Sequence, residues 1–189
     1  MDFTVIAKSI PGCYEIVPVV RSDPRGSFVK TFHVDAFVQH RFDTVFAEEY
    51  YSVSRQGVLR GLHFQTPPMQ HAKMVYCIEG QVLDAVVDIR VGSPTYGHYE
   101  LFELDAQCPR LLYLPAGMAH GFFVRSATAT MMYKVTSVYS PQHDAGILWS
   151  SVGIPWPDPQ PLLSERDGCF PAFGEYRSPF AFEGEHGRD

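Results

Sequence analysis

Pro115-Ala116-Gly117-Met118-Ala119-His120-Gly121-Phe122 decides how this chain is read, because a proline-glycine turn ends on a histidine entering an apolar strand. Outward from it, short β-type segments recur at 75–78, 81–89, 97–104, 110–115, 121–125 and 130–137. Glycine and proline turns such as Glu79-Gly80 and Ser93-Pro94-Thr95-Tyr96-Gly97 separate them. Short strands at that spacing are the pattern of a sandwich or barrel. Segment 81–89 carries Val82, Ala85, Val87 and Ile89 and reads as a central strand. Upstream, 3–9, 14–19 and 27–32 read as strands, and 34–41 as a short helix with Val34, Phe37 and Val38 on its apolar side. Downstream, Pro155, Pro157, Pro159 and Pro161 argue for an extended arm laid over the barrel. One helical turn capped by Ser164 follows, then a flexible tail over 179–189. One domain over 1–178 is expected.

The 189 residues are 46% hydrophobic and 19% charged, a globular balance, and the fifteen glycines and fifteen prolines fit a turn-rich β chain. The net charge of -6 and the lack of any Lys/Arg run exclude an extended nucleic-acid surface, but leave room for a small anion bound by a few placed cations. Cys13, Cys77, Cys108 and Cys169 never stand in CxxC spacing, so reduced, buried thiols are expected rather than a zinc knuckle or a disulfide framework. The first residues lack a signal-peptide pattern and no apolar run reaches membrane-span length, so no membrane association and a cytoplasmic location are expected.

The densest polar stretch runs from Gly57 to Lys73 and includes Leu59-Arg60-Gly61-Leu62-His63-Phe64-Gln65 and His71-Ala72-Lys73. With its two turn prolines it reads as a site-bearing loop between strands. Taken singly, His63 would be a structural histidine, Tyr133 a packed strand aromatic and Asp167 a surface carboxylate. Their weight comes from occurring together.

Pro115 to His120 matches PxGxxH, the later signature of the cupin barrels. Metal-binding cupins carry HxH in the earlier signature. Here that position reads His63-Phe64-Gln65, so an amide replaces the second ligand, and neither a metal nor another cofactor is expected, although His63, His71 and His120 number three. From about Ile10 to Phe173 the chain further resembles the dTDP-4-dehydrorhamnose 3,5-epimerase family of cofactor-free cupins. The resemblance is carried in order by Asp23-Pro24-Arg25-Gly26-Ser27-Phe28, by Leu59 to Gln65, by Val87-Asp88-Ile89-Arg90, by Ser93 to Gly97, by Ala119 to Phe122, by Tyr133-Lys134 and by Leu163-Ser164-Glu165-Arg166-Asp167.

The resemblance implies a β-jelly-roll barrel with a short N-terminal helix and a C-terminal arm. It also implies a homodimer that exchanges N-terminal strands, and a nucleotide-sugar substrate. It makes His63 the base, paired with Asp167, Tyr133 the proton donor on the opposite face and Lys73 the stabiliser of an enolate. Arg25, Arg60, His120, Asp144 and Arg166 would surround the sugar and diphosphate. Chemistry asks for the same set. A proton beside a ketone is too weakly acidic to leave unless a cation or donors hold the oxygen, a histidine base needs a carboxylate to fix its tautomer, and inversion needs an acid on the other face.

The chain departs from the family pattern at ligand-facing positions. Lys30 stands where glutamate is usual, and Glu48-Glu49-Tyr50-Tyr51-Ser52 replaces Gln-x-Asn-x-Ser, which adds Lys30, Glu48 and Tyr50 to the candidate substrate contacts. The expectation is therefore epimerisation at C3, C5 or both of a 4-keto-6-deoxy sugar whose nucleotide, dTDP, GDP or CDP, is left open. A 3,4-ketoisomerase, a non-catalytic sugar-binding cupin and, disfavoured by the missing HxH, a metal-dependent oxygenase are the alternatives.

Overall fold

The computed structural model describes residues 3–184. In chain order its strands are β1 (Phe3–Ala7), β2 (Tyr14–Pro18), β3 (Val20–Asp23), β4 (Gly26–Val29), β5 (Glu48–Arg55), β6 (Leu59–Gln65), β7 (Lys73–Glu79), β8 (Gln81–Asp88), β9 (Tyr99–Asp105), β10 (Leu111–Leu114), β11 (Met118–Val124), β12 (Thr128–Val135) and β13 (Asp144–Gly146). Helix α1 (Val34–Gln39) precedes β5, and α2 (Glu165–Gly168) lies in the arm. The strands form a six-stranded sheet, β1-β2-β10-β7-β12-β5, and a five-stranded sheet, β13-β6-β11-β8-β9, with β3 and β4 as a separate hairpin. The two sheets close face to face as the expected jelly roll.

Side chains alternate across each strand, and where both faces are covered, as on β7, β8, β10 and β11, the strands read as nearly continuous apolar runs. Val75, Leu112 and Met131 from one sheet meet Val86, Phe102 and Phe122 from the other in the central core. On the outer face of the six-stranded sheet, Met74, Tyr76 and Tyr113 pack under α1 against Phe37 and Phe42. The outer face of the five-stranded sheet, with Leu62, Phe64, Ala85 and Val87, is covered by Ile147, Ile154 and Phe180 of the arm.

The interval from Leu59 to Gln65 differs from the expectation: it is strand β6, paired between β11 and β13, not a loop. Leu62 and Phe64 pack in the outer core, whereas Arg60, His63 and Gln65 line the space between the sheets. The ladder to β11 is irregular between His120 and Phe122. There two glycines let the backbones touch: a Cβ on Gly61 would lie 2.6 Å from Gly121 Cα, and one on Gly121 would lie 2.6 Å from Arg60 O. A bulge of this kind re-aims a side chain next to a site.

Two boundaries and the placement of two cysteines are also corrected. Helix α1 stops at Gln39 because Arg41 takes a φ of 58°, and the chain closes with Phe42 N donating to Phe37 O. The tail expected to be free from 179 is held at its start: Phe180 is buried, Ala181 bridges Val91, and Phe182 N donates to Val91 O, while 185–189 lie outside the described residues. All four cysteines are free, but Cys108 and Cys169 are exposed rather than buried. No helix among the described residues is long and apolar enough to cross a membrane.

Candidate active site

A cavity of about 720 Å³ opens between the two sheets, in the size range of small-ligand sites. Alternation explains its lining. Inward positions near the open end are polar: His63 and Gln65 on β6, Lys73 on β7, His120 on β11, Tyr133 on β12, and Glu48, Tyr50 and Ser52 on β5. Deeper inward positions on the same strands, such as Val75, Phe122 and Met131, complete the core.

His63 and His120 are direct partners across the β6–β11 ladder, and each is bound to a carboxylate. His63 Nε2 lies 2.7 Å from Asp167 Oδ1. Asp167 arrives from the arm at the turn of α2, where its backbone N–H donates to the Ser164 hydroxyl, the cap expected from the sequence. The carboxylate also accepts the Gly61 N–H at 3.3 Å. Burial pushes Asp167 up, but the bonds from His63 and Gly61 outweigh it and hold the carboxyl below its usual range. An ionised carboxylate can only accept, so His63 Nε2 carries the hydrogen and Nδ1 keeps the lone pair. Burial lowers the His63 pKa, against the pull of Asp167 and with help from Lys73 and Arg166. A neutral histidine with a fixed tautomer is a base at neutral pH.

His120 Nε2 lies 2.7 Å from Asp84 Oδ2. Asp84 is not among the residues that the sequence motifs single out. Its signal is a carboxylate at an inward position between Val82 and Val86, and it proves wholly buried. Burial raises its pKa against the opposing effects of His120 and Lys73.

Lys73 is buried in the cavity wall and donates to His63 O at 3.1 Å. Burial lowers its pKa to about 8, against Asp144 and Asp84, which keeps it mostly charged at neutral pH. Tyr133 faces His63 and His120 from the opposite sheet. Burial drives its pKa far up, so the phenol stays protonated. The arrangement therefore sets a neutral base on one wall, a neutral donor on the other, and an ammonium near the base.

The other expected residues divide. Arg60 lines the cavity with Nε donating to Ser54 Oγ at 2.8 Å. Asp144 and Arg166 line it as a pair, 2.7 Å apart, and Tyr139 OH donates to the same carboxylate at 3.2 Å. Glu48 and Tyr50 also line it. Arg25 and Lys30 do not: Arg25 sits on the exposed β3–β4 hairpin against Asp23, and Lys30 follows β4. His71, which no sequence motif claims, lines the cavity too, its Nδ1 3.2 Å from Ser137 Oγ and its pKa lowered to about 3 by burial and Lys73. Among the described residues no three His, Cys, Asp or Glu side chains converge as a metal site. The Asp88 motif is scaffold: it binds Arg90, Ser93 and Thr95 and closes the turn after β8.

The family model described as dTDP-4-dehydrorhamnose 3,5-epimerase matches residues 7–175. The chain is 41% identical over 171 residues to a dTDP-4-dehydrorhamnose 3,5-epimerase of Mycolicibacterium smegmatis, covering 88% of this chain and 84% of that one. It is 44% identical over 161 residues to a dTDP-4-dehydrorhamnose 3-epimerase of Streptomyces niveus, covering 84% and 78%. Among solved structures it is similar, with a TM-score of 0.89 and 40% identity over 93% of this chain and 89% of that one, to a 4-keto-6-deoxy sugar epimerase from the novobiocin biosynthetic gene cluster of Streptomyces spheroides.

Proposed function

This chain belongs to the dTDP-4-dehydrorhamnose 3,5-epimerase family, and we propose that it inverts carbon beside the ketone of a nucleoside-diphosphate-linked 4-keto-6-deoxy sugar. The observation that carries this reading is the placement of His63, with its carboxylate, and Tyr133 on facing sheets of one cavity.

His63 Nδ1 takes the proton from C3 or C5, and the electron pair moves to O4 as an enolate. Lys73 and His120 stabilise that oxygen, and without such stabilisation the proton does not leave. Tyr133 then donates its proton to carbon from the other face. Each turnover leaves a proton on His63 and removes one from Tyr133, so both reset by exchange with solvent. Arg60 and Arg166 offer planar guanidinium groups to the diphosphate, and Tyr139 offers a ring within the same polar lining.

Arg25 and Lys30 lie outside this chain's own cavity, and Phe28 on the same hairpin is 61% exposed. These features support a homodimer in which the N-terminal strands serve the neighbouring subunit, and light scattering should return twice the chain mass. The deciding experiment for function is incubation with dTDP-, GDP- and CDP-linked 4-keto-6-deoxyglucose in D2O. Deuterium should enter C3, C5 or both with at least one of them, and entry at neither carbon with all three overturns the reading.

A further inference from the structure

Tyr50 stands opposite Tyr133 across the β5–β12 ladder. The two rings are nearly parallel, with centroids 4.8 Å apart and planes at 16°, and both line the cavity. The Tyr133 ring also belongs to the central core, its edge meets the His120 ring at 6.4 Å, and its hydroxyl lies 3.4 Å from that of Ser52. Strand β5 is the last strand of its sheet, so the Tyr50 ring is laid over Tyr133 from the sheet margin.

Once the enolate forms, His63 and Tyr133 compete for the same carbon. The histidine holds its new proton already in place, and returning it regenerates substrate. Inversion wins when the phenol is in a reactive position on the opposite face before that return, and misplacement by a fraction of an ångström to one ångström is enough to lose the contest. A parallel aromatic partner restrains the ring plane of the donor with a specific attraction.

Resting on the epimerase reading above, we propose that Tyr50 is a positioning residue for proton donation, its ring clamping the Tyr133 phenol so that inversion outruns same-face return. This gives a role to the place where Tyr50 departs from the asparagine of the family pattern. It acts through Tyr133 and not on the reacting carbon.

The test separates two quantities at early times in D2O with whichever of the dTDP-, GDP- and CDP-linked 4-keto-6-deoxyglucose substrates reacts. Deuterium in recovered substrate reports abstraction, exchange of the His63 proton with D2O and same-face return; inverted product reports donation by Tyr133. Tyr50→Ala and Tyr50→Leu should lower the ratio of inverted product to labelled recovered substrate about tenfold. Tyr50→Phe keeps the stack and should keep the wild-type ratio. The proposal is overturned by a wild-type ratio in the Ala and Leu variants, by a loss in the Phe variant as large as in Ala, or by a proportional fall of both quantities, which a binding or folding role would produce. Wild-type protein that exchanges no deuterium with any of the three sugars removes the epimerase reading itself, and this inference with it.

Discussion

The two histidine–carboxylate pairs of the five-stranded sheet have the same 2.7 Å separation and opposite character. Asp167 receives a second bond from the Gly61 N–H and is held below the usual carboxylate range, whereas Asp84 has an oxygen without a partner among the described residues, lies wholly buried, and is pushed up. His63 remains 29% exposed at its side chain, and His120 only 4%. The pairing distance alone does not make a base. A carboxylate with enough donors stays ionised and orients a histidine that substrate can reach, while one starved of donors in a dry interior is a fixed part of the wall.

The largest expected effect tests the reactive pair. His63→Ala should lower deuterium entry at the sugar carbons by about 10³-fold or more, and Asp167→Asn, which loses the tautomer control, by about 10²-fold. An Asp167→Asn enzyme with wild-type exchange would make the two pairs equivalent and break the contrast.

Asp84→Ala should act first on stability. Removing one partner of a buried pair leaves the other uncompensated, at a cost of about 3 kcal/mol, read as a lower denaturant midpoint with unchanged slope. Asp167→Ala, whose partner His63 stays partly exposed to solvent, should move that midpoint less than Asp84→Ala while losing more activity. The reverse ranking would assign the catalytic role to the wrong pair.

The pH profile sharpens the comparison with the smallest change. In the proposed mechanism His63 works as the neutral form and its pKa is lowered by burial, so activity should be present above that value and fall only at pH below the ordinary 6.5. Lys73 works there as the charged form, so activity should fall as pH rises through about 8. A profile of kcat/KM should therefore be bell-shaped, and an alkaline limb that stays flat to pH 10 would detach Lys73 from the enolate.

Much of the site is legible in the sequence because its residues occur in ordered motifs. Ser164 and Asp167 illustrate this: a cap followed three residues later by a carboxylate is a local feature, and the helical turn forms there as expected. Local reasoning fails at β6, where the Arg-His-Gln polarity reads as a loop. Those side chains face a cavity rather than water, and no alternation in the sequence distinguishes the two. It fails again at Phe180, whose burial depends on Ile89 and Phe64 more than ninety residues away in the chain.

By itself the sequence determined the β-sandwich character, the turn positions, the residue types available for proton transfer and the departures at Lys30 and Glu48 to Tyr50, because strand patterning and turn chemistry act over a few residues. Tertiary structure alone decided that Asp84 serves His120, that Arg25 lies outside the cavity, and that Tyr50 stacks on Tyr133. Those outcomes depend on ladder register and on burial, which set distances and local dielectric between residues far apart in the chain and are not properties of any segment alone.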